Sequence, residues 1–89
     1  MDDVLIEHAE PIAAPDGSFY VPRVRGRQVE DGLWNGWIEF VADGGRRAIA
    51  TARETTQPNR VDLLYWAEGL GRVYLEGALV RALDGAAAR

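Results

Sequence analysis

The strongest constraint on the fold is a pair of strand-like runs joined by two glycines. Residues 33–42 (LWNGWIEFVA) and 46–54 (RRAIATARE) both suit β structure, and residues 43–45 (DGG) lie between them. Both central residues of a tight hairpin turn need a positive φ, which glycine adopts at little steric cost. A turn at Gly44 and Gly45 therefore fixes the register of the two strands. The predicted pairs are Asp43 with Arg46, Val41 with Ala48, Phe40 with Ile49, Glu39 with Ala50, Ile38 with Thr51, Trp37 with Ala52 and Gly36 with Arg53.

This register divides the apolar residues between the two faces of the hairpin. One face is predicted to hold Trp34, Ile38, Phe40, Ile49 and Thr51, with Arg53 near Trp34. The opposite face is predicted to hold Leu33, Trp37, Val41, Ala48, Ala50 and Ala52. A sheet with one solvated face would carry apolar residues on one parity only. The second face must therefore be covered by a helix, by the curvature of a barrel or by another chain.

The segments around the hairpin add two strands and a helix. Residues 1–17 are acidic and contain two prolines, which predicts an N-terminal arm or an edge strand. Residues 18–26 (SFYVPRVRG) predict a strand, and Pro22 within it favours an edge position or a bulge. Asn59 is a good helix cap, and the apolar spacing after it predicts a short helix near residues 60–68.

The last run, residues 73–83 (VYLEGALVRAL), fits two different elements. Leu75, Leu79 and Leu83 repeat every four residues, as in a helix, yet they also share one parity of a strand. Gly77 in the middle of the run favours β structure. We predict a strand here and a frayed tail at residues 85–89.

The expected fold class is α+β, mostly β. A chain of 89 residues forms one domain, here residues 18–84, and buries too little surface to build a deep cleft easily. The predicted order is (β)-β-β-β-α-β, which suits a small antiparallel, partly open β-barrel, SH3-like or OB-like, with one short helix near residues 60–68. The alternative is a three-stranded meander with two helices on one face.

The motifs W-x-G-W-x-E-F, E-T-T-Q-P and Y-W-A-x-G-L, with the ending Y-L-E-G-A-L, cover about residues 19–83. In these motifs the chain resembles a set of short uncharacterised bacterial proteins. The resemblance implies a bacterial origin. It implies no activity and identifies no catalytic residue.

Signals for catalysis and metal binding are sparse. The chain has no cysteine, and His8 is its one histidine. We expect a surface role for His8, because a metal site needs three or four converging ligands. Glu39, Glu54 and Glu76 lie among apolar neighbours, where two close carboxylates could act as acid and base. Pairing with arginine is the favoured interpretation. We therefore predict a protein that is not an enzyme and holds no cofactor and no metal.

Single-stranded nucleic-acid binding is the alternative function. Arg23, Arg25 and Arg27 share one parity of a predicted strand, close in sequence to Trp34 and Trp37. Basic and aromatic side chains on a small sheet are typical of proteins that hold single strands. The net charge of −4 counts against this function, because strong nucleic-acid binders usually carry a basic excess.

The favoured function is a non-catalytic binding module for protein–protein interaction or self-association. Its contact surface would be an aromatic sheet face centred on Trp37 and Arg53, because apolar residues on both faces need a partner. The polar segment 53–59 (RETTQPN) serves mainly to join strand to helix, and it could also hold a small anion or a peptide carboxylate. The predicted binding residues are Trp34, Trp37, Arg53, Glu54, Thr55, Thr56, Gln57 and Asn59. We expect a cytoplasmic protein without membrane contact, because the sequence shows no long apolar run or leader.

Overall fold

Two helices pack on one face of a six-stranded antiparallel sheet in the computed structural model, which describes residues 2–42 and 44–87. The strands are β1 (Asp3–Glu7), β2 (Ile12–Ala13), β3 (Phe19–Gln28), β4 (Trp34–Ala42), β5 (Ala48–Ala50) and β6 (Thr55–Gln57), and the helices are α1 (Arg60–Glu68) and α2 (Arg72–Ala87). Strands β3 and β4 form the centre, β1 and β2 lie along β3, and β5 and β6 lie along β4. The predicted α+β class with a partly open, antiparallel sheet is confirmed.

The glycine turn and the first half of the hairpin register are confirmed. Gly44 and Gly45 have φ values of 89° and 75°, and Val41, Phe40 and Glu39 pair with Ala48, Ile49 and Ala50 as predicted. The predicted pairing of Asp43 with Arg46 lies outside the described residues.

Thr51 lies opposite Ile38 as predicted, because its backbone N–H donates to the carbonyl of Ile38 at 2.9 Å, but the predicted register is wrong beyond this pair. The hydroxyl of Thr51 accepts a hydrogen bond from the backbone N–H of Ile38 at 3.1 Å, in place of a backbone carbonyl. The ladder breaks there, and it resumes with Gly36 opposite Thr55 rather than Arg53. Two extra residues thus bulge out of the strand, and the predicted pair of Trp37 with Ala52 does not form. Residues 55–57, predicted as part of a loop, form strand β6.

Pro22 lies in a central strand, not at the edge or bulge that the sequence favoured. Its carbonyl accepts a hydrogen bond from the N–H of His8 at 2.9 Å. The nitrogen of a strand residue points to the same side as its carbonyl. The nitrogen of Pro22 therefore faces the break between β1 and β2, where a missing N–H leaves no ladder bond unmade.

The prediction of a strand over residues 73–83 is wrong, because these residues form most of α2. The buried residues of α2 are Leu75, Ala78, Leu79 and Ala82. Their spacing is that of one helical stripe. The small alanines allow the helix to approach the sheet, where the stripe packs with Ile12, Tyr20, Ile38 and Phe40. Residues 85–87, predicted as a frayed tail, belong to this helix, and Ala88 and Arg89 lie outside the described residues.

Helix α1 forms at the predicted residues and docks through a leucine. The side chain of Asn59 accepts a hydrogen bond from the N–H of Asp62 at 2.8 Å, which caps the helix as expected. Leu63 is fully buried. Its two methyl groups lie against the strand partners Gly26 and Gly36, each 2.6 Å from where a Cβ atom on that glycine would be. The two glycines therefore form the socket that seats α1.

Candidate functional site

The face of the sheet opposite α1 and α2 carries the aromatic residue that the sequence singled out. Residues on the buried parity of β3 and β4 meet the two helices, so residues of the other parity point away from them. We call this surface the open face. It is formed by Val4 of β1, Val21, Arg23, Arg25 and Arg27 of β3, Asn35, Trp37, Glu39 and Val41 of β4, and Ala48 and Ala50 of β5.

Trp37 lies at the centre of the open face with a guanidinium over its ring. The Arg27 side chain is 6.0 Å from the ring centroid, within the range of a cation–π contact. Trp37 remains partly exposed, and Val4, which lies on β1 on the far side of Arg25, is 47% exposed. Trp37 lies on the face away from Ile38, as the alternation of side chains along the strand predicted.

The arginine row of β3 is paired with carboxylates. Glu39 accepts hydrogen bonds from the Nε of Arg23 at 3.0 Å and from Arg25 at 3.3 Å. The carboxylate is only 18% exposed, so these ion pairs are screened less than surface pairs. Arg27 donates to Asp2 at 2.6 Å. The row therefore offers little uncompensated positive charge to a ligand.

The Asp2–Arg27 pair is also visible in the acid–base properties of both groups. The hydrogen bond from Arg27 holds the pKa of Asp2 below its ordinary value of 3.8. The same contact raises the pKa of Arg27 above its ordinary value. The two groups are thus charged at neutral pH.

Ion pairing is observed for all three carboxylates that the sequence placed among apolar residues. Glu39 pairs with the arginine row as described. Glu54, whose side chain is 11% exposed, pairs with Arg81 at 2.5 Å, and Glu76 lies 3.7 Å from Arg72 on α2. The favoured interpretation of these carboxylates as arginine partners is therefore confirmed.

Trp34 lies on the face opposite Trp37, as the predicted register required, whereas Arg53, predicted at the centre of the binding face, does not join the open face. Trp34 belongs to the helix-side parity of β4, and the guanidinium of Arg60 lies 5.9 Å from its ring centroid. Arg53 is exposed in the break between β5 and β6. The prediction that Arg53 lies near Trp34 across Gly36 is wrong, because the bulge places Thr55 opposite Gly36.

The rest of the polar segment 54–59 is bonded within the chain. Glu54 accepts a hydrogen bond from the hydroxyl of Tyr74 as well as from Arg81. Thr56 donates to Asn35 at 2.8 Å, and Gln57 donates to Thr55 at 2.8 Å. Asn59 and the acidic residue in the first turn of α1 already compensate that helix end. These contacts hold the segment against β4 and α2.

Two surfaces were missed by sequence reasoning. A groove beside α1 is lined by Gln57, Asp62, Tyr65, Trp66, Gly69, Leu70 and Tyr74. A cleft beside the start of α2 is lined by His8, Ala9, Glu10, Ile12, Leu70, Arg72 and Leu75. Both depend on α2 being a helix, so the predicted strand hid them. His8, expected at the surface, is partly buried in the wall of this cleft.

The described residues contain neither a cluster of metal ligands nor a helix suited to span a membrane. Over residues 2–42 and 44–87, no three His, Asp or Glu side chains converge as metal ligands would. Neither described helix combines the length and the apolar character needed to cross a bilayer.

Comparison with known proteins gives no relative for this arrangement. No protein-family model matches the chain, and no curated protein and no solved structure matches it significantly. The resemblance to short bacterial proteins stays a prediction.

Proposed function

We propose that the protein is a non-catalytic binding module that associates with a second copy of itself through the open face. The observation that carries this proposal is Trp37, partly exposed at the centre of the sheet face that neither α1 nor α2 covers. Aromatic side chains at the centre of a patch are typical anchors of protein interfaces.

The charges of the open face favour a second copy over a partner of one charge sign. The face carries Arg23, Arg25 and Arg27. The carboxylates of Glu7 on β1, Glu39 on β4 and Asp2, just before β1, lie next to them. Three positive and three negative groups leave the surface without net charge, so a second copy that presents the same patch, as in a symmetric dimer, meets no net repulsion.

The same pairing supports protein binding over the alternative, single-stranded nucleic acid. Phosphate contacts need arginines whose charge is free to replace counterions. Here Glu39 accepts from both Arg23 and Arg25, and Asp2 accepts from Arg27. A nucleic acid would have to displace these carboxylates before it could use the row.

The size of the open face suits a small interface rather than a standard one. Strand β3 is ten residues long. Strands β1, β4 and β5 have 5, 9 and 3 residues, so at the usual rise and strand spacing the four strands give a projected area of about 430 Å². A standard interface buries about 800 Å² on each partner. Because side chains protrude from the sheet, the accessible area of the open face is larger than its flat projection.

A pair of tryptophan variants tests this proposal. Trp37→Ala removes the central ring of the open face, and Trp34→Ala removes a ring of the same size from the helix side. We expect Trp37→Ala to weaken self-association at least about tenfold, as for a central anchor. The matched control should associate like the native protein. Sedimentation velocity over a dilution series measures both, with far-UV circular dichroism to confirm folding.

Three results would contradict the proposal. The first is a native protein that stays monomeric at every concentration. The second is equal association by the native protein and a folded Trp37→Ala variant. The third is a Trp37→Ala variant that does not fold, because the indole would then be a core residue.

A further inference from the structure

One cleft lies between the end of β1, β2 and the start of α2. Its volume is about 390 Å³, within the range of small-molecule sites. Ile12 and Leu75, which are 2% and 3% exposed, form an apolar floor together with Leu70. The cleft is on the helix side of the sheet, away from the open face.

We infer that this cleft binds a small amphipathic carboxylate, with the carboxylate at Arg72 and the hydrocarbon chain on the apolar floor. A few polar groups around an apolar surface are the usual composition of a ligand site. The guanidinium is the natural partner of a carboxylate because it can donate two parallel hydrogen bonds.

The contacts of Arg72 leave its guanidinium available. Its side chain is 62% exposed, and its two ion-pair contacts are long, 3.5 Å to Glu10 and 3.7 Å to Glu76. Arg72 is also the first residue of α2, a helix of 16 residues. The positive end of the helix dipole adds to the preference for an anion at this end of the cleft.

His8 supplies a second polar group in the wall of the cleft. Its backbone is fixed by the hydrogen bond to Pro22, and the Nε2 atom of its imidazole is buried without a hydrogen-bond partner among the described residues. A buried polar atom without a partner is costly. A rotation of the ring toward the cleft would let a ligand oxygen satisfy this atom.

Glu10 and Arg72 should affect the affinity for a carboxylate in opposite directions. Its carboxylate is 81% exposed and already lies next to Arg72. A bound carboxylate must compete with it for the guanidinium. Neutralising Glu10 should therefore strengthen binding, whereas neutralising Arg72 should weaken it.

Titration of the full-length protein with sodium octanoate, followed by amide chemical shifts, tests the site. We expect shifts centred on the residues of the cleft. Octylammonium, which has the same chain and the opposite charge, should cause none. Arg72→Gln should weaken octanoate binding at least about tenfold, and Glu10→Gln should strengthen it about threefold. Arg46→Gln, which changes an exposed arginine of the hairpin turn, is the matched control and should have no effect.

The opposite results would overturn the inference. Equal shifts with octylammonium would show a nonspecific apolar surface. Shifts confined to the open face, or an Arg72→Gln variant that binds like the native protein, would place the carboxylate elsewhere. Both arginines and Glu10 are exposed, so their neutral variants should fold, and unchanged circular dichroism checks this.

Discussion

Replacing Gly36 by alanine tests how α1 is seated on the sheet. A Cβ atom at this position would lie 2.6 Å from the Cδ1 of Leu63 and 3.1 Å from the Cγ2 of Thr55. Leu63 cannot move aside easily, because its other methyl group, Cδ2, already lies against Gly26, only 2.6 Å from where a Cβ atom on that glycine would be. The added methyl group must therefore strain the contact between α1 and the sheet.

The expected cost follows from two opposing terms. Overpacking of a core by a methyl group costs about 1–3 kcal/mol. The smaller entropy of alanine in the unfolded chain returns about 0.4–1 kcal/mol. Gly36→Ala should thus destabilise the protein by about 1–2 kcal/mol, which lowers the Tm of a domain of this size by about 4–15 °C.

Urea unfolding of four variants separates this cause from others. Leu63→Ala alone should cost about 2–5 kcal/mol. In the Leu63→Ala background the space beside Gly36 is empty, so Gly36→Ala should cost at least about 1 kcal/mol less than it does in the native protein. Gly77→Ala is the control, because Gly77 is exposed on α2 and its nearest neighbour is the end of Arg81 at 3.6 Å. It should stabilise the protein by about 0.5–1 kcal/mol.

Additive effects of Gly36→Ala and Leu63→Ala on the free energy of unfolding would refute the claim that Leu63 packs directly against Gly36. So would a Gly36→Ala variant as stable as the native protein. A gain in stability from both glycine substitutions would show that only the unfolded chain had changed.

Three further predictions concern stability and ligand choice. Thr51→Val removes the hydroxyl that accepts from Ile38, and should cost about 1–3 kcal/mol in urea unfolding. Burial, then the hydrogen bond to Glu54, raises the pKa of Tyr74 above its ordinary value of 10.0. The folded state therefore holds this proton more tightly, and the contribution present below pH 10.0 is lost as the pH rises through the raised value. Thermal melts should show this alkaline loss in the native protein and not in Tyr74→Phe. Labelled single-stranded DNA or RNA at low salt should show no binding tighter than about 100 μM, and tighter binding would favour the nucleic-acid alternative.

The hairpin was predictable as far as local chemistry determined it. Two adjacent glycines specify the turn, and the turn specifies the register up to Glu39 and Ala50. The break that follows depends on Thr51, whose hydroxyl takes the place of a carbonyl. A threonine also suits an unbroken strand, so its sequence position alone could not show the bulge.

The second helix was not predictable from its leucines alone. Leu75 and Leu79 fit one side of a strand as well as one side of a helix. The residues that distinguish the two are Ala78 and Ala82, which are buried although their side chains are small. Their role depends on how closely α2 approaches the sheet, and this distance is set by tertiary packing.

For the candidate site, the face on which each tryptophan lies was predictable, but its arginine partner was not. Alternation along β4 separated Trp37 from Trp34, because a strand's side chains point to opposite faces in turn. The partner of each tryptophan depended on register, so Arg27 and Arg60 lie over the rings instead of Arg53.

An isotope-filtered nuclear Overhauser measurement on a mixture of labelled and unlabelled protein tests the central claim most directly. If the open face joins two copies, the indole of Trp37 should give cross-peaks to side chains of the open face on the other molecule, such as Val41. Cross-peaks that instead arise from α1 or α2, or a concentrated sample that gives none, would contradict a dimer built on the open face.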